Sequence, residues 1–138
     1  MKITVTKLDE KQHMEANNEE GGTIRMDGSR EIGGLEGGIS PMQLLLAGIG
    51  GCSTIDIVGI LEKQKQPLKN ISVEVDGDRR KAGTYSEFKS IHLKFQLKGD
   101  LDPKKVERAI NLSIDKYCSV SKALEKTSTI THSFTINN

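Results

Sequence analysis

Tryptophan is absent from this chain, and the other aromatic residues amount to two tyrosines and three phenylalanines among 138 residues. Apolar residues reach only 35% of the total. A chain of this length reads as one domain, 1–138, and buries roughly two-thirds of its unfolded surface. Here much of the apolar content is concentrated in residues 42–61, which leaves a thin core elsewhere. Sharing that core with a second copy of the chain relieves the shortage, so a homodimer is expected.

An excess of either charge is also missing. Twenty basic and 19 acidic residues give a net charge of +1. That balance leaves no footprint for nucleic acid or for an anionic membrane. The short basic run Arg79-Arg80-Lys81 is flanked by acids and reads as a solvated turn. The opening residues 1–7 alternate polar and apolar side chains, without the apolar core of a secretory signal, so a cytoplasmic location is expected. Residues 42–61 are long enough to span a bilayer, but Gln43, Asp56 and four glycines interrupt them and no aromatic anchors flank them. They are expected instead to form a core helix whose first three turns are apolar on nearly every side, wrapped by other elements rather than lying on a surface.

Short β-type segments open the chain at residues 3–5, 13–16 and 23–26, the last ending at the turn signal Asp27-Gly28. The glycine-rich stretch 33–38 lacks the lysine and the context of a phosphate-binding loop, and reads as a flexible cover over a site. Ser40 and Pro41 then open a helix that runs to about Lys65, where Pro67 stops it. Residues 70–76 and 91–98 alternate cleanly and are expected to pair as a long hairpin. Asp102 and Pro103 start a second helix with an apolar stripe at Val106, Ile110, Ser113, Tyr117, Val120 and Leu124. Residues 129–136 close the chain as a strand. The order β-β-β-α-β-β-α-β predicts an α+β two-layer fold with antiparallel strands.

Only two cysteines are present, and a standing disulfide is not expected in a reducing compartment. Cys52 follows Gly50 and Gly51 inside the first helix, where each glycine costs about 1 kcal/mol relative to alanine. Such a pair suits a close approach by another helix or a ligand, although a cysteine in an apolar helix is often simply a small hydrophobe. For Cys118 two readings stand. Small polar residues after it let the helix break and restart, placing the thiol at a helix N-terminus where its pKa would fall. Alternatively the helix runs straight through and Cys118 borders the apolar stripe. Asp56, one turn past Cys52, is either a satisfied core acid or a member of the site, and a carboxylate beside Cys52 opposes a thiolate unless a cation intervenes. Glu125 and Lys126 read as solvated charges, as does His92 on the polar face of its strand. His13, His92 and His132 have no closely spaced ligand partner, so no metal or cofactor is expected.

The run from Ser40 to Cys52 (SPMQLLLAGIGGC), followed by Asp56-Ile57-Val58, resembles the first-cysteine helix of the OsmC/Ohr superfamily. Lys116-Tyr117-Cys118-Ser119-Val120-Ser121-Lys122-Ala123-Leu124 is similar to its second-cysteine motif, and Ile130-Thr131-His132-Ser133-Phe134 to the end of the OsmC-like branch. The resemblance covers nearly the whole chain. It implies an intertwined homodimer with long central helices and the site at the interface. It also implies a thiol-dependent peroxidase of the antioxidant, oxidative-stress type acting on organic hydroperoxides. Cys52 would be the peroxidatic residue and Cys118 the resolving one, recycled by a dithiol such as dihydrolipoamide. A sulfenic acid without a nearby thiol climbs to irreversible oxides, which is why such chemistry uses two sulfurs.

Peroxidase members of the family hold the thiolate with an arginine from an early strand and hold that arginine with an upstream glutamate. This chain has Met42 and then neutral Gln43 at the carboxylate position, and no arginine before Arg25. Arg25, Arg30 and Gln43 are the candidates for thiolate support, although strand alternation points Arg25 toward solvent. The departures keep two other readings open: an OsmC-like small-molecule binding or thiol-sensing module, and a structural dimer with inert cysteines.

Overall fold

A computed structural model describes residues 1–138. The chain divides into two compact units, Met1–Leu45 and Leu46–Asn138.

In the first unit, β1 (Ile3–Lys7), β2 (Met14–Asn18) and β3 (Thr23–Met26) form an antiparallel sheet in that order. Strand β2 extends two residues beyond the sequence expectation. Asn18 then closes the turn, its Oδ1 accepting from the N–H groups of Glu20 (3.1 Å) and Gly22 (2.6 Å). A short 3-10 turn follows at Arg30–Ile32. The glycine-rich stretch 33–38 is tied down internally, which corrects its reading as a flexible cover. Asp27 is buried, and its carboxylate accepts N–H donors from Gly28 (2.8 Å), Gly37 (2.9 Å) and Leu35 (3.3 Å). The Gly37 amide leads the interactions that hold this carboxyl below its ordinary range. A side chain at Gly34 would collide with the Gly28 carbonyl, which is why the crossing needs glycine.

The second unit holds β4 (Leu68–Ala82), β5 (Tyr85–Gly99) and β6 (Thr129–Asn137), in the sheet order β4-β5-β6. The hairpin β4–β5 is antiparallel as expected, but each strand is far longer than its alternating segment. Arg79, Arg80 and Lys81 therefore lie in β4, exposed, and not in a turn. Strand β6 runs parallel to β5, from Ser90↔Thr129 to Lys98↔Asn137, which corrects the expectation of antiparallel strands throughout. The cause is the helical connection between them: it carries the chain back to the same end of the sheet, as parallel pairing requires.

Alternation along β5 buries Ile91, Leu93, Phe95 and Leu97 almost completely. The inward positions of the outer strands, Val73 and Val75 on β4 and Phe134 and Ile136 on β6, are only half-buried. Helix α1 (Pro41–Lys63) begins in the first unit and crosses into the second. It meets β4 at Gly50, where an added Cβ would sit 3.1 Å from Val75 and 3.4 Å from Val73. By length and apolarity α1 meets the requirement for a membrane span. Only Ile49, Gly50, Ser53, Ile57 and Leu61 along it are buried within the chain. The expectation of a helix wrapped on nearly every side thus fails for one chain, and Ile55 is 75% exposed.

Helix α2 (Pro103–Leu112) starts as its capping signal predicts, with Asp102 Oδ1 accepting from the Lys104 N–H at 2.9 Å. Its stripe Val106, Ala109 and Ile110 is fully buried. The second helix does not continue straight. A π-helical turn at Ser113–Tyr117 and a short helix α3 (Ser119–Leu124) follow, with Cys118 extended between them. Tyr117, assigned to the stripe, is exposed as a consequence.

Gly77 offers a test of the packing between β4 and β5. A methyl group there would lie 2.6–2.7 Å from ring carbons of buried Phe88 and 3.0 Å from Leu46 Cδ2. Gly77→Ala should lower unfolding stability by about 1–3 kcal/mol through overpacking. Urea denaturation reads this directly, and an unchanged midpoint would contradict the packing described.

Candidate active site

Helix α1 carries Cys52 and, one turn later, Asp56 on the same face. Next to Cys52, the buried Ser53 hydroxyl is satisfied within the helix, donating to the carbonyls of Ile49 (2.8 Å) and Gly50 (3.1 Å). Cys118 arrives from the far end of the chain by way of the π turn. Its N–H donates to the Ser113 carbonyl at 2.7 Å, five residues back, and its backbone then becomes extended (φ −71°, ψ 106°). The sulfur caps α3 by accepting the Ser121 N–H at 3.3 Å, and the Ser121 hydroxyl donates to the Ile114 carbonyl at 3.0 Å. The break-and-restart reading of the second helix is therefore the correct one.

Cys52 Sγ, Cys118 Sγ and a carboxylate oxygen of Asp56 all lie within 4.8 Å of one another. Neither cysteine is in a disulfide; Cys52 is half-buried and Cys118 fully buried. The Asp56 carboxylate is held from the side by Ser113, whose buried hydroxyl donates to Oδ2 at 3.0 Å. That contact makes the π turn a bracket for the acid as well as the lead-in to the thiol.

The electrostatics of Cys118 run opposite to the expectation drawn from its helix N-terminus. Burial pushes the thiol from 9.0 up to about 11. The Ser121 N–H opposes that rise, while Cys52 and the Asp56 carboxylate add to it. One turn of α3 is too little to outweigh the loss of water. At neutral pH the buried sulfur is a thiol.

The three candidate supports lie in the first unit, where each has a partner of its own. Arg25 pairs with Glu15 on β2 at 3.6 Å, and Arg30 with Glu36 at 3.7 Å, both with mostly exposed side chains. Gln43 has a structural task that sequence reading missed. Its Oε1 accepts the Ser40 N–H at 3.0 Å while Ser40 Oγ accepts the Gln43 N–H at 3.2 Å, a reciprocal capping box at the start of α1. The spacing of serine to glutamine was the available signal. Ser113 reads in the sequence as one position of an apolar stripe, and no local signal marks its hydrogen bond to Asp56. His92, expected to be solvated, shares its ring nitrogens with Thr131 Oγ1 (2.7 Å) and Ser133 Oγ (3.0 Å) on the outer face of the sheet.

An α+β fold with two cysteines converging from a long helix and a broken one defines a class of thiol proteins. The family model for OsmC-like protein matches residues 33–133, and the chain belongs to this family. Protein YhfA of Escherichia coli K12 is 43% identical over 98 residues, which is 70% of this chain and 72% of that protein. A hypothetical protein from Aquifex aeolicus superposes with a TM-score of 0.80 at 27% identity, covering 99% of this chain and 97% of its own. An organic hydroperoxide resistance protein OsmC from Legionella pneumophila, also described as a predicted redox protein, gives a TM-score of 0.74 at 18% identity over 98% and 97% of the two chains. At that identity the likeness is one of fold. Family and adjoining thiols together fit a redox role.

The raised pKa of Cys118 has a direct consequence. In chelator-treated, reduced protein at pH 8, iodoacetamide should alkylate Cys118 about a hundredfold more slowly than the same cysteine in urea, because the thiolate is the reacting form. Mass mapping of the labelled peptides measures this, and equal rates in the two states would contradict the burial-driven shift.

Proposed function

We propose that this protein is a thiol-dependent peroxidase-type redox protein that reduces organic hydroperoxides through Cys52 and Cys118. The observation that carries the proposal is the convergence of two sulfurs, one half-buried and one buried, within 4.8 Å. Cys52, the more accessible, attacks the terminal peroxide oxygen as a thiolate; the O–O bond breaks, the alcohol leaves, and Cys52 becomes a sulfenic acid. Cys118 then attacks the Cys52 sulfur, and a disulfide and water form. A dithiol of the dihydrolipoamide type reopens the bond by exchange and is itself oxidised. The substrate class is supported by the hydroperoxide-resistance protein of the same fold and by the apolar composition of α1 around Cys52. Thiolate support is assigned to Arg25, Arg30 or Gln43. An OsmC-like binding or sensing module is the second reading, favoured by the carboxylate of Asp56 beside both thiols. The proposed setting is the cytoplasm, where dithiol reductants are maintained.

A homodimer completes the proposal. Along α1 the apolar side chains Leu45 (42% exposed), Ile55 (75%) and Val58 (39%) stand uncovered, and they flank Cys52 in sequence. A second copy packing its own α1 there would supply the core that each chain lacks and exclude water from the thiol.

With a dithiol reductant and cumene hydroperoxide, Cys52→Ser should lose turnover entirely. Cys118→Ser should complete one reduction per chain and then accumulate higher oxides of Cys52. Retention of full turnover by Cys52→Ser refutes the mechanism; peroxide-insensitive thiols in the intact protein favour the sensing or binding module.

Ile55→Glu places a charge in the proposed helix interface. Sedimentation should register a shift from dimer to monomer, and an unchanged dimer would place the interface on another surface.

A further inference from the structure

We infer that Cys52, Asp56 and Cys118 form a binding site for a thiophilic divalent cation of the Zn²⁺ or Cd²⁺ kind, occupied only while the two cysteines are reduced. This rests on the reading of the pair as redox-active. It accounts for a residue that the peroxidase reading leaves unexplained. A carboxylate next to a peroxidatic thiol works against the thiolate, yet Asp56 is not merely tolerated: a buried hydroxyl from another element is aimed at it. A cation at the centre of the cluster would engage all three groups as ligands.

The geometry fits such an ion. Two sulfurs and a carboxylate oxygen lie within 4.8 Å of one another. In a tetrahedral site with Zn–S and Zn–O distances of about 2.3 and 2.1 Å, ligand atoms are separated by roughly 3.6–3.8 Å. A contraction of about 1 Å or less closes the set, within the reach of side-chain rotation alone. Cys52 and Asp56 occupy positions i and i+4 of one helix, the spacing that places two ligands on one face. Ser113 supplies the outer hydrogen bond that orients a ligating carboxylate. Two thiolates select zinc or cadmium over magnesium or calcium. Three protein ligands leave the fourth position to water or another small donor, so the ion is held less tightly than in a closed four-ligand site.

Binding and oxidation exclude each other because they use the same sulfurs. On binding, two thiols give up their protons and form two metal–sulfur bonds. On oxidation, the metal–dithiolate, one hydroperoxide and two protons yield the disulfide, the free cation, one alcohol and one water. Peroxide would thus release the ion, and the ion would shield the reduced pair.

The test uses the full-length protein, reduced, stripped with chelator and handled without oxygen, then titrated with Cd²⁺ alone and with Zn²⁺ against a chromophoric chelator. Saturation at one ion per chain is expected, with thiolate-to-cadmium absorbance. Cys52→Ser and Cys118→Ser should each abolish that signal. Ser113→Ala should weaken binding by about 10–100-fold while the metal-free protein keeps its fold, as judged by circular dichroism. One equivalent of hydroperoxide should release the ion as the disulfide forms. The inference is overturned if the intact protein binds no better than the double serine variant, or if disulfide-linked protein binds equally well. Disulfide formation without any metal binding would remove this inference and leave the redox reading standing. Metal binding with thiols inert to peroxide would remove the redox reading and leave a metal site.

Discussion

The arrangement at the two sulfurs depends on one local irregularity, the π turn at Ser113–Tyr117. A regular helix continuing from Leu112 would carry Cys118 round its cylinder without turning the backbone inward. The wide turn absorbs an extra residue, anchors the Cys118 amide on the Ser113 carbonyl, and releases the chain into an extended conformation at the cysteine. The same turn aims the Ser113 hydroxyl at Asp56. One backbone feature therefore sets both the approach of the second thiol and the orientation of the acid.

What it assembles is a cluster with an electrostatic conflict. Two thiols and a carboxylate stand within 4.8 Å of one another, and both Cys52 and Asp56 push the Cys118 thiol up. Burial settles the matter for Cys118 by keeping it protonated. Disulfide formation removes the Cys118 proton without leaving an anion, and a bound cation would balance the charge of the thiolates. In this chain the arginines nearest in sequence are committed to Glu15 and Glu36. The fold is the family's.

Much of this was legible in the sequence. Alternation gave the hairpin β4–β5, the Ser-Pro and Asp-Pro pairs gave both helix starts, and the two cysteine motifs gave the family. The direction of β6 was misread because strand periodicity carries no polarity; the intervening helices were the better guide, since they return the chain to its starting end. The α1 helix was expected to be enclosed because its composition is apolar. Composition, however, does not say whether the cover comes from the same chain. The pKa of Cys118 was misjudged in sign because the helix-terminus effect is visible in sequence and the depth of burial is not. Asp56 and Ser113 were both noted, yet their pairing joins positions on separate helices and becomes visible only in three dimensions.

The central claim is that folding makes Cys52 and Cys118 one redox unit. Intact-mass and peptide-mass analysis after a single equivalent of hydroperoxide tests it most directly. A redox unit gives a chain lighter by two hydrogens, with one internal link joining the Cys52 and Cys118 peptides. Links between different chains, or oxygen added to Cys52 while Cys118 stays free, would contradict it.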